Sequence, residues 1–446
     1  MISSTDTVII GAGPYGLSIS AHLSKAGVPH QILGQPMQAW RQFMPPGMLL
    51  RSEGFASNLS APWDGYRLED YCRHRGIAYK PRGMRMPLEV FAEYGLWFQS
   101  QLVGHLRPVE VIDMCQEDGH FRLALSDGSS LAARRAVLSL GLRSFAQMPA
   151  ALRGMSKPHV IHSGEFGSYE WARNKSVAIV GAGQSAVGLA ALFNEIGAHV
   201  HLLVRGPELD WSDAPRPSRV SMPKMLKPDV GLGRGWPSNH PRDLLTSYLV
   251  SEHPWTFHML GLKRRQWILE TGWAPSGAWW LRDRVEGKTE ISLRSEIRRA
   301  ELQDDQVVMD VAVGNDKTRI TADHVVVATG FKVDMARHPF LSRELVDALS
   351  LTDGSPNLTR HFETSVRDLY VVGPAAALSF GPALRFVHGA KYAAPHLAGH
   401  IGKRYEAETP QRATRPQGAA PELAEGHGGA GLRGQSVLQA AENSVE

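Results

Sequence analysis

An α/β fold with two Rossmann-type dinucleotide-binding domains follows from three features of the sequence. The stretch "VIIGAGPYGLSIS" at residues 8–20 and the stretch "VAIVGAGQSAVGLAAL" at 177–192 repeat one pattern. Each leaves an apolar, β-branched strand, passes through G-x-G-x-x-[GA], and enters small and apolar residues at helical spacing. Around them, short apolar runs broken by Asp-Gly predict further strands.

In the first unit, Val8–Ile10 predict a strand, Gly11–Gly16 a turn, and Leu17–Lys25 a helix closed by Gly27. "HQIL" (30–33) reads as its second strand. The loop-rich residues 34–65 are dense in aromatic side chains and methionine, unlike a flexible linker. "LEDYCRHRG" and "LEVFAEYGLWFQSQL" place apolar residues at i, i+3 and i+4 and predict helices. "VEVIDMCQEDGHFRLALSDGSSLAARRAVLSLG" predicts three strands with Asp-Gly turns at 118–119 and 127–128.

The second unit starts near Lys175, with Val177–Val180 as strand, Gly181–Ala186 as turn and Val187–Ile196 as helix. "HVHLLVR" (199–205) is its second strand. Residues 207–290 change character and hold seven of the eleven tryptophans: Trp211, Trp236, Trp255, Trp267, Trp273, Trp279 and Trp280. That composition fits either a substrate-pocket insertion or a subunit contact. "AELQDDQVVMDVAV", "ADHVVVATGF" and "DLYVVGPA" return to strands, and "LRFVHGAKYAAPHLAGHIGKR" predicts a closing helix. From about Glu406 an Ala/Gly/Pro/Gln-rich stretch predicts a disordered tail.

Composition narrows the function. The 446 residues are 43% hydrophobic and 21% charged, which suits two or three domains of a soluble protein. The net charge of +4 is spread among acids, so no nucleic-acid stripe is expected, and anionic small molecules suit it well. Cys72 and Cys115 form no C-x-x-C, which argues against a disulfide framework, a zinc site and a redox dithiol, and for a reducing compartment. "MISSTDTVIIG" has no signal-peptide pattern and no apolar run reaches a membrane span. A cytoplasmic location without membrane or nucleic-acid partners is the expectation. The histidines show no H-E-x-x-H spacing and no G-x-S-x-G is present, so neither metal nor hydrolase chemistry is expected.

The glycines have distinct tasks. Gly11 and Gly181 permit the tight turn, Gly13 and Gly183 let the backbone approach a pyrophosphate, and Gly16 and Ala186 let the helix pack closely. Pro14 and Tyr15 in the first turn, and Gln184 and Ser185 in the second, stand where a helix N-terminus meets phosphate. Arg205 lies 24 residues past Gly181, where a guanidinium pairs with a 2′-phosphate and favours NADPH; a plain strand end is the other reading. The matching place in the first unit carries Gly34, with no carboxylate for a ribose, and Gln35 is the neutral substitute.

The order of motifs over residues 5–402 resembles the flavin-containing monooxygenase superfamily, and most of all its lysine and ornithine N-hydroxylating branch. The likeness rests on "GAGPYG", "GAGQSA", "VVVATGF" (325–331), "AVLSLGLRSFAQMP" (136–149), "VIHSGEF" (160–166) and "MPPGMLLRSEGFASNL" (44–59). It implies FAD on the first unit and NADPH on the second, with the NADPH domain inserted into the FAD domain. The implied divisions are 1–150 and 321–405 for FAD, 151–320 for NADPH, and 406–446 for the tail. Trp40, Met48 and Leu49 would then lie along the isoalloxazine, although an ordinary apolar core loop reads the same way. Gly330 and Gly373 would border the cofactors, with main-chain N–H groups from Ala375 onward replacing the aspartate many flavoproteins carry there. Asn58 would bond the flavin edge or the nicotinamide, or else make an Asx turn.

The chemistry so implied is NADPH reduction of FAD, then oxygenation of a small organic substrate by O₂ through a flavin C4a-hydroperoxide. Heteroatom N-hydroxylation is the preferred outcome. Baeyer–Villiger or S-oxygenation, or an NADPH dehydrogenase or reductase, are the alternatives. The resemblance leaves room for a homo-oligomer.

Overall fold

A computed structural model describes residues 3–212, 251–271 and 276–409. The expectations for Trp236, Trp273 and the tail beyond 409 lie outside the described residues.

Five strands open the first sheet: β1 (Ser3–Ile10), β2 (His30–Leu33), β3 (Val111–Glu117), β4 (His120–Leu125) and β5 (Ser130–Leu138). They lie in the order β2-β1-β5-β4-β3. β1 runs parallel to both neighbours, pairing Ile10 with Leu33 and with Leu138. The last four residues of β1 are buried, as expected of a parallel strand covered on both faces.

The second sheet is assembled from β6 (Val160–His162), β7 (Ser176–Val180), β8 (His199–Leu203) and β9 (Glu290–Ser292). An antiparallel trio follows: β10 (Ser295–Gln303), β11 (Gln306–Val313) and β12 (Asp316–Ala322). Asp304 and Asp305, both at positive φ, make the β10–β11 turn, the backbone that a two-residue hairpin loop demands. β13 (His324–Val327) completes the second sheet, whose order is β6-β13-β7-β8-β9, all parallel. The chain therefore leaves the second sheet after Val327, rather than at the boundary expected at 320. Partnership, not sequence proximity, decides this: Val327 pairs with Val180 at the second glycine turn.

A two-residue ribbon, β14 (Leu351–Thr352) and β15 (Ser355–Pro356), precedes β16 (Leu369–Val371). β16 returns to the first sheet, parallel to the second half of β5. The closing helix, Ala390–Glu408, packs along the first cradle helix, Pro14–Lys25.

A buried ion network joins these pieces. The Arg135 side chain is fully enclosed and contacts Asp6 at 2.7 Å, Asp368 at 3.4 Å and Glu408. Arg404 adds contacts to Asp368 at 2.9 Å and Glu363 at 3.2 Å. The helix thus continues to Glu408, past the tail start expected at 406, because Glu408 is an ion-pair partner.

Candidate functional site: two glycine cradles and the cleft beside them

The two glycine turns are built alike. Gly11 N–H bonds Leu33 O at 2.9 Å and Gly181 N–H bonds Leu203 O at 3.0 Å. Ser139 N–H reaches Ile10 O, and Ala328 N–H reaches Val180 O, each at 2.8 Å. Gly13 and Gly183 cap their helices with matching backbones, φ −83° and −87°. Gly11 (φ +109°) and Gly181 (φ +148°) need the glycine: a Cβ would sit 2.2 Å from Ser139 O and 2.4 Å from Ala328 O respectively.

Both turns leave helix-start amides without a partner inside the helix. The first bonds inside the helices are Leu17 N–H to Gly13 O (3.0 Å) and Val187 N–H to Gly183 O (3.1 Å). The preceding amides, Tyr15 and Gly16 in one turn and Gln184, Ser185 and Ala186 in the other, have no carbonyl within their helix. A Cβ on Gly13 would meet nothing within 4 Å, so the space in front of that turn is open. Unpaired N–H groups at a helix N-terminus beside open space are an anion cradle.

The surroundings differ. Pro14, Tyr15 and Gly16 are all buried. The Tyr15 hydroxyl lies 2.9 Å from Leu384 O and 2.7 Å from Phe386 O, fastening this helix to the segment before the closing helix. Gly373 beside that ring holds a left-handed backbone (φ +73°) that favours glycine, while a Cβ there would only touch the ring, at 3.4 Å. Ser185, by contrast, is exposed and Gln184 half-buried. Gln184 Oε1 accepts from Ala278 N–H at 2.8 Å, which draws the 276–281 segment across the start of its helix.

At the strand ends, the register equates Leu33 with Leu203, so Gln35 and Arg205 are counterparts. Gln35 donates its amide to Pro108 O at 2.8 Å. Arg205 is exposed and has no acid partner among the described residues. Met48 and Leu49 line a narrow cleft with Gln184, Trp280 and Arg284, so the structure brings them to the second cradle's helix. Trp40 is half-buried and stands edge-on to Phe91, with centroids 4.6 Å apart. Asn58 uses both ends of its amide on main chain, donating to Phe55 O (2.8 Å) and accepting from Leu68 N–H (2.8 Å). Neither bond is the i to i+2 contact of an Asx turn.

Gly330 (φ +82°) follows β13, and its carbonyl lies 3.3 Å from His162 Nε2. Gly164 N–H donates to His162 Nδ1 at 3.0 Å, which places the ring proton on Nε2. Burial lowers the His162 pKa, so the neutral ring is favoured. Two contacts across the cleft carried no sequence signal. Arg51 donates to Ser276 O (2.9 Å) and Oγ (2.8 Å), and Arg85 stands over Trp279 and Trp280.

Two matched cradles, each at the end of a strand with parallel neighbours on both sides, define a protein of the two-dinucleotide class. The pyridine nucleotide-disulphide oxidoreductase family model matches residues 5–227, and the chain belongs to that family. A probable indole-3-pyruvate monooxygenase of Arabidopsis thaliana is 26% identical over 221 residues, 44% of this chain. The match spans 46% of that relative, under half its length. An ornithine N-hydroxylase of Kutzneria, with reduced FAD, NADP⁺ and L-ornithine, superposes over 90% of this chain and 100% of its own, at TM-score 0.72 and 16% identity. A cadaverine monooxygenase of Erwinia amylovora with FAD covers 96% of this chain and 99% of its own, at TM-score 0.66 and 18% identity. These structural likenesses establish the fold. No described helix is long and apolar enough to cross a membrane.

Proposed function

We propose that this chain is a single-component FAD- and NADPH-dependent monooxygenase of the cytoplasm that oxygenates a small organic substrate with O₂. N-hydroxylation of a small amine or amino acid is the preferred reaction. One observation carries the reading: two cradles of the same build, one with its helix start buried in its own chain and one with its helix start partly exposed. A helix start packed into its own chain suits a resident prosthetic group, and a partly exposed one suits a nucleotide that comes and goes. The Kutzneria and Erwinia structures, whose chains share the fold and hold FAD, support this assignment.

In this reading the amides of Tyr15 and Gly16 bind the FAD pyrophosphate, and those of Gln184, Ser185 and Ala186 bind that of NADPH. Arg205 takes the 2′-phosphate, while Met48 and Leu49 form the apolar wall of the reaction cleft. The flavin, when bound, supplies hydride acceptance and oxygen activation. The chain orients both nucleotides and keeps water from the space between them. No acid–base pair is required of it. His162, neutral and bonded to the Gly330 carbonyl, holds the turn that abuts the second cradle.

The test is anaerobic reduction by NADPH followed by admission of O₂. A lag of seconds before the oxidised flavin spectrum returns, with hydroxylated product when an amine substrate is present, supports the proposal. Immediate re-oxidation with one hydrogen peroxide per NADPH under every condition supports the reductase alternative instead.

A further inference from the structure

Arg85 belongs to neither glycine turn. It sits on the extended segment 84–87, whose backbone is tied to the cleft wall: Leu50 N–H bonds Met86 O at 2.8 Å and Leu88 N–H bonds Met48 O at 2.9 Å. Its guanidinium carbon lies 4.9 Å from the Trp279 ring centroid and 5.5 Å from that of Trp280. Those indoles meet at 87°, so the cation occupies an aromatic corner contributed by the other half of the molecule.

What distinguishes Arg85 is its lack of an anion. Among the described arginines that are not exposed, Arg107, Arg122, Arg134, Arg135, Arg284 and Arg404 each hold a carboxylate. Arg265 donates to the Leu378 carbonyl. Arg85 alone, among the described residues, has neither. The charge that acts on it is Arg284, of the same sign, and Arg284 is already committed to Glu195 at 2.7 and 2.9 Å. Burial first, and then that neighbour, lower the Arg85 pKa.

The indoles offer ring faces and no hydrogen-bond acceptor atom, so the N–H donors of the guanidinium fork stay uncommitted. The corner also fixes the side chain before any ligand arrives, so less rotamer freedom remains to be lost on binding. A clamp between two halves needs no charge, and half-desolvating a cation without a partner is costly. An incoming oxyanion removes that cost.

We propose that Arg85 is an oxyanion receptor at the seam between the two halves, engaging two oxygens of a phosphate or carboxylate side by side. The receptor follows from the geometry alone. Only the source of the oxyanion, dinucleotide phosphate or substrate carboxylate, rests on the monooxygenase reading.

Calorimetric titration of the purified, flavin-loaded protein with NADP⁺, inorganic phosphate, L-lysine and cadaverine tests it, in the parent, R85M and R85K. R85M keeps an apolar stem against the indoles, and R85K keeps the charge but not the fork. The expected result is at least about tenfold weaker binding of one oxyanion probe in R85M, with partial recovery in R85K. Loss confined to NADP⁺ and phosphate identifies the dinucleotide as the source. Loss for L-lysine with cadaverine unchanged identifies a substrate carboxylate. If no probe shows binding that depends on Arg85, or R85M alters only the melting temperature, the residue is a clamp and the proposal falls. Flavin absorbance, recorded in parallel, reports on the monooxygenase reading separately.

Discussion

The two cradles share a motif and a backbone, yet the helix start of the first is buried in its own chain and that of the second is partly exposed. Around the first, Tyr15 reaches two carbonyls of the 384–386 segment, the closing helix lies alongside, and the Arg135 network pins that helix to β1 and β5. Around the second, the helix begins with half-buried Gln184 and exposed Ser185, covered in part by a strap held through the Gln184–Ala278 bond. In the proposed reading the glycine motif sets where a pyrophosphate sits, and the packing around it sets how long it stays. Residues far from the motif supply that packing.

Breaking the enclosure should have the largest effect. R135M removes a buried cation facing Asp6, Asp368 and Glu408, and should cost about 3–5 kcal/mol in urea unfolding. NADP⁺ affinity of the folded variant should not change; a loss below about 1 kcal/mol would mean the network does not hold the first half together.

Exchanging the third motif residues sharpens the contrast. A Cβ on Gly16 would lie 1.9 Å from Gly11 O, so G16A should cost about 2–3 kcal/mol and release bound flavin, read by melting temperature and visible absorbance. The reciprocal A186G removes only a methyl group and should cost about 1 kcal/mol or less. Equal effects would erase the proposed difference between the sites.

R205A should raise the KM for NADPH by about tenfold or more and that for NADH by less than about twofold, the loss of one charge-assisted contact. Matching rises for both would remove Arg205 from the 2′-phosphate.

Acid should weaken the first half by a smaller amount. Burial, the leading cause, lowers the His30 pKa to about 4. The unfolded chain then takes up a proton that the folded one refuses between about pH 6.5 and 4, so stability falls as pH drops through that window. For His30 the loss between pH 7 and 5 should be about 1–2 kcal/mol, and H30Q should flatten the pH dependence of the urea midpoint by that amount.

Much of this was legible in the sequence because glycine turns are local. The strand, turn and helix of each unit follow from a few adjacent residues, and the helices merely start earlier than expected, at Pro14 and Gln184. Proline at the first helical position costs no hydrogen bond, and its fixed φ suits the helix. The membership of β13 was not legible, since an apolar strand pairs equally well with either sheet until the tertiary fold chooses. Arg85 and Trp279, like Arg51 and Ser276, lie far apart in the chain, the latter pair 225 residues, and nothing local links them. For Asn58 the sequence left a cofactor contact and an Asx turn open, and its bonds to Phe55 and Leu68 tie it instead to main chain three residues before and ten residues after it.

The most direct measurement is to load the purified protein with FAD and NADP⁺, pass it through a desalting column, and determine what remains bound. Retention of one flavin per chain with complete loss of NADP⁺ is the predicted result. A colourless protein that takes up no flavin, or one that releases both nucleotides alike, would contradict the division between a resident and a visiting site.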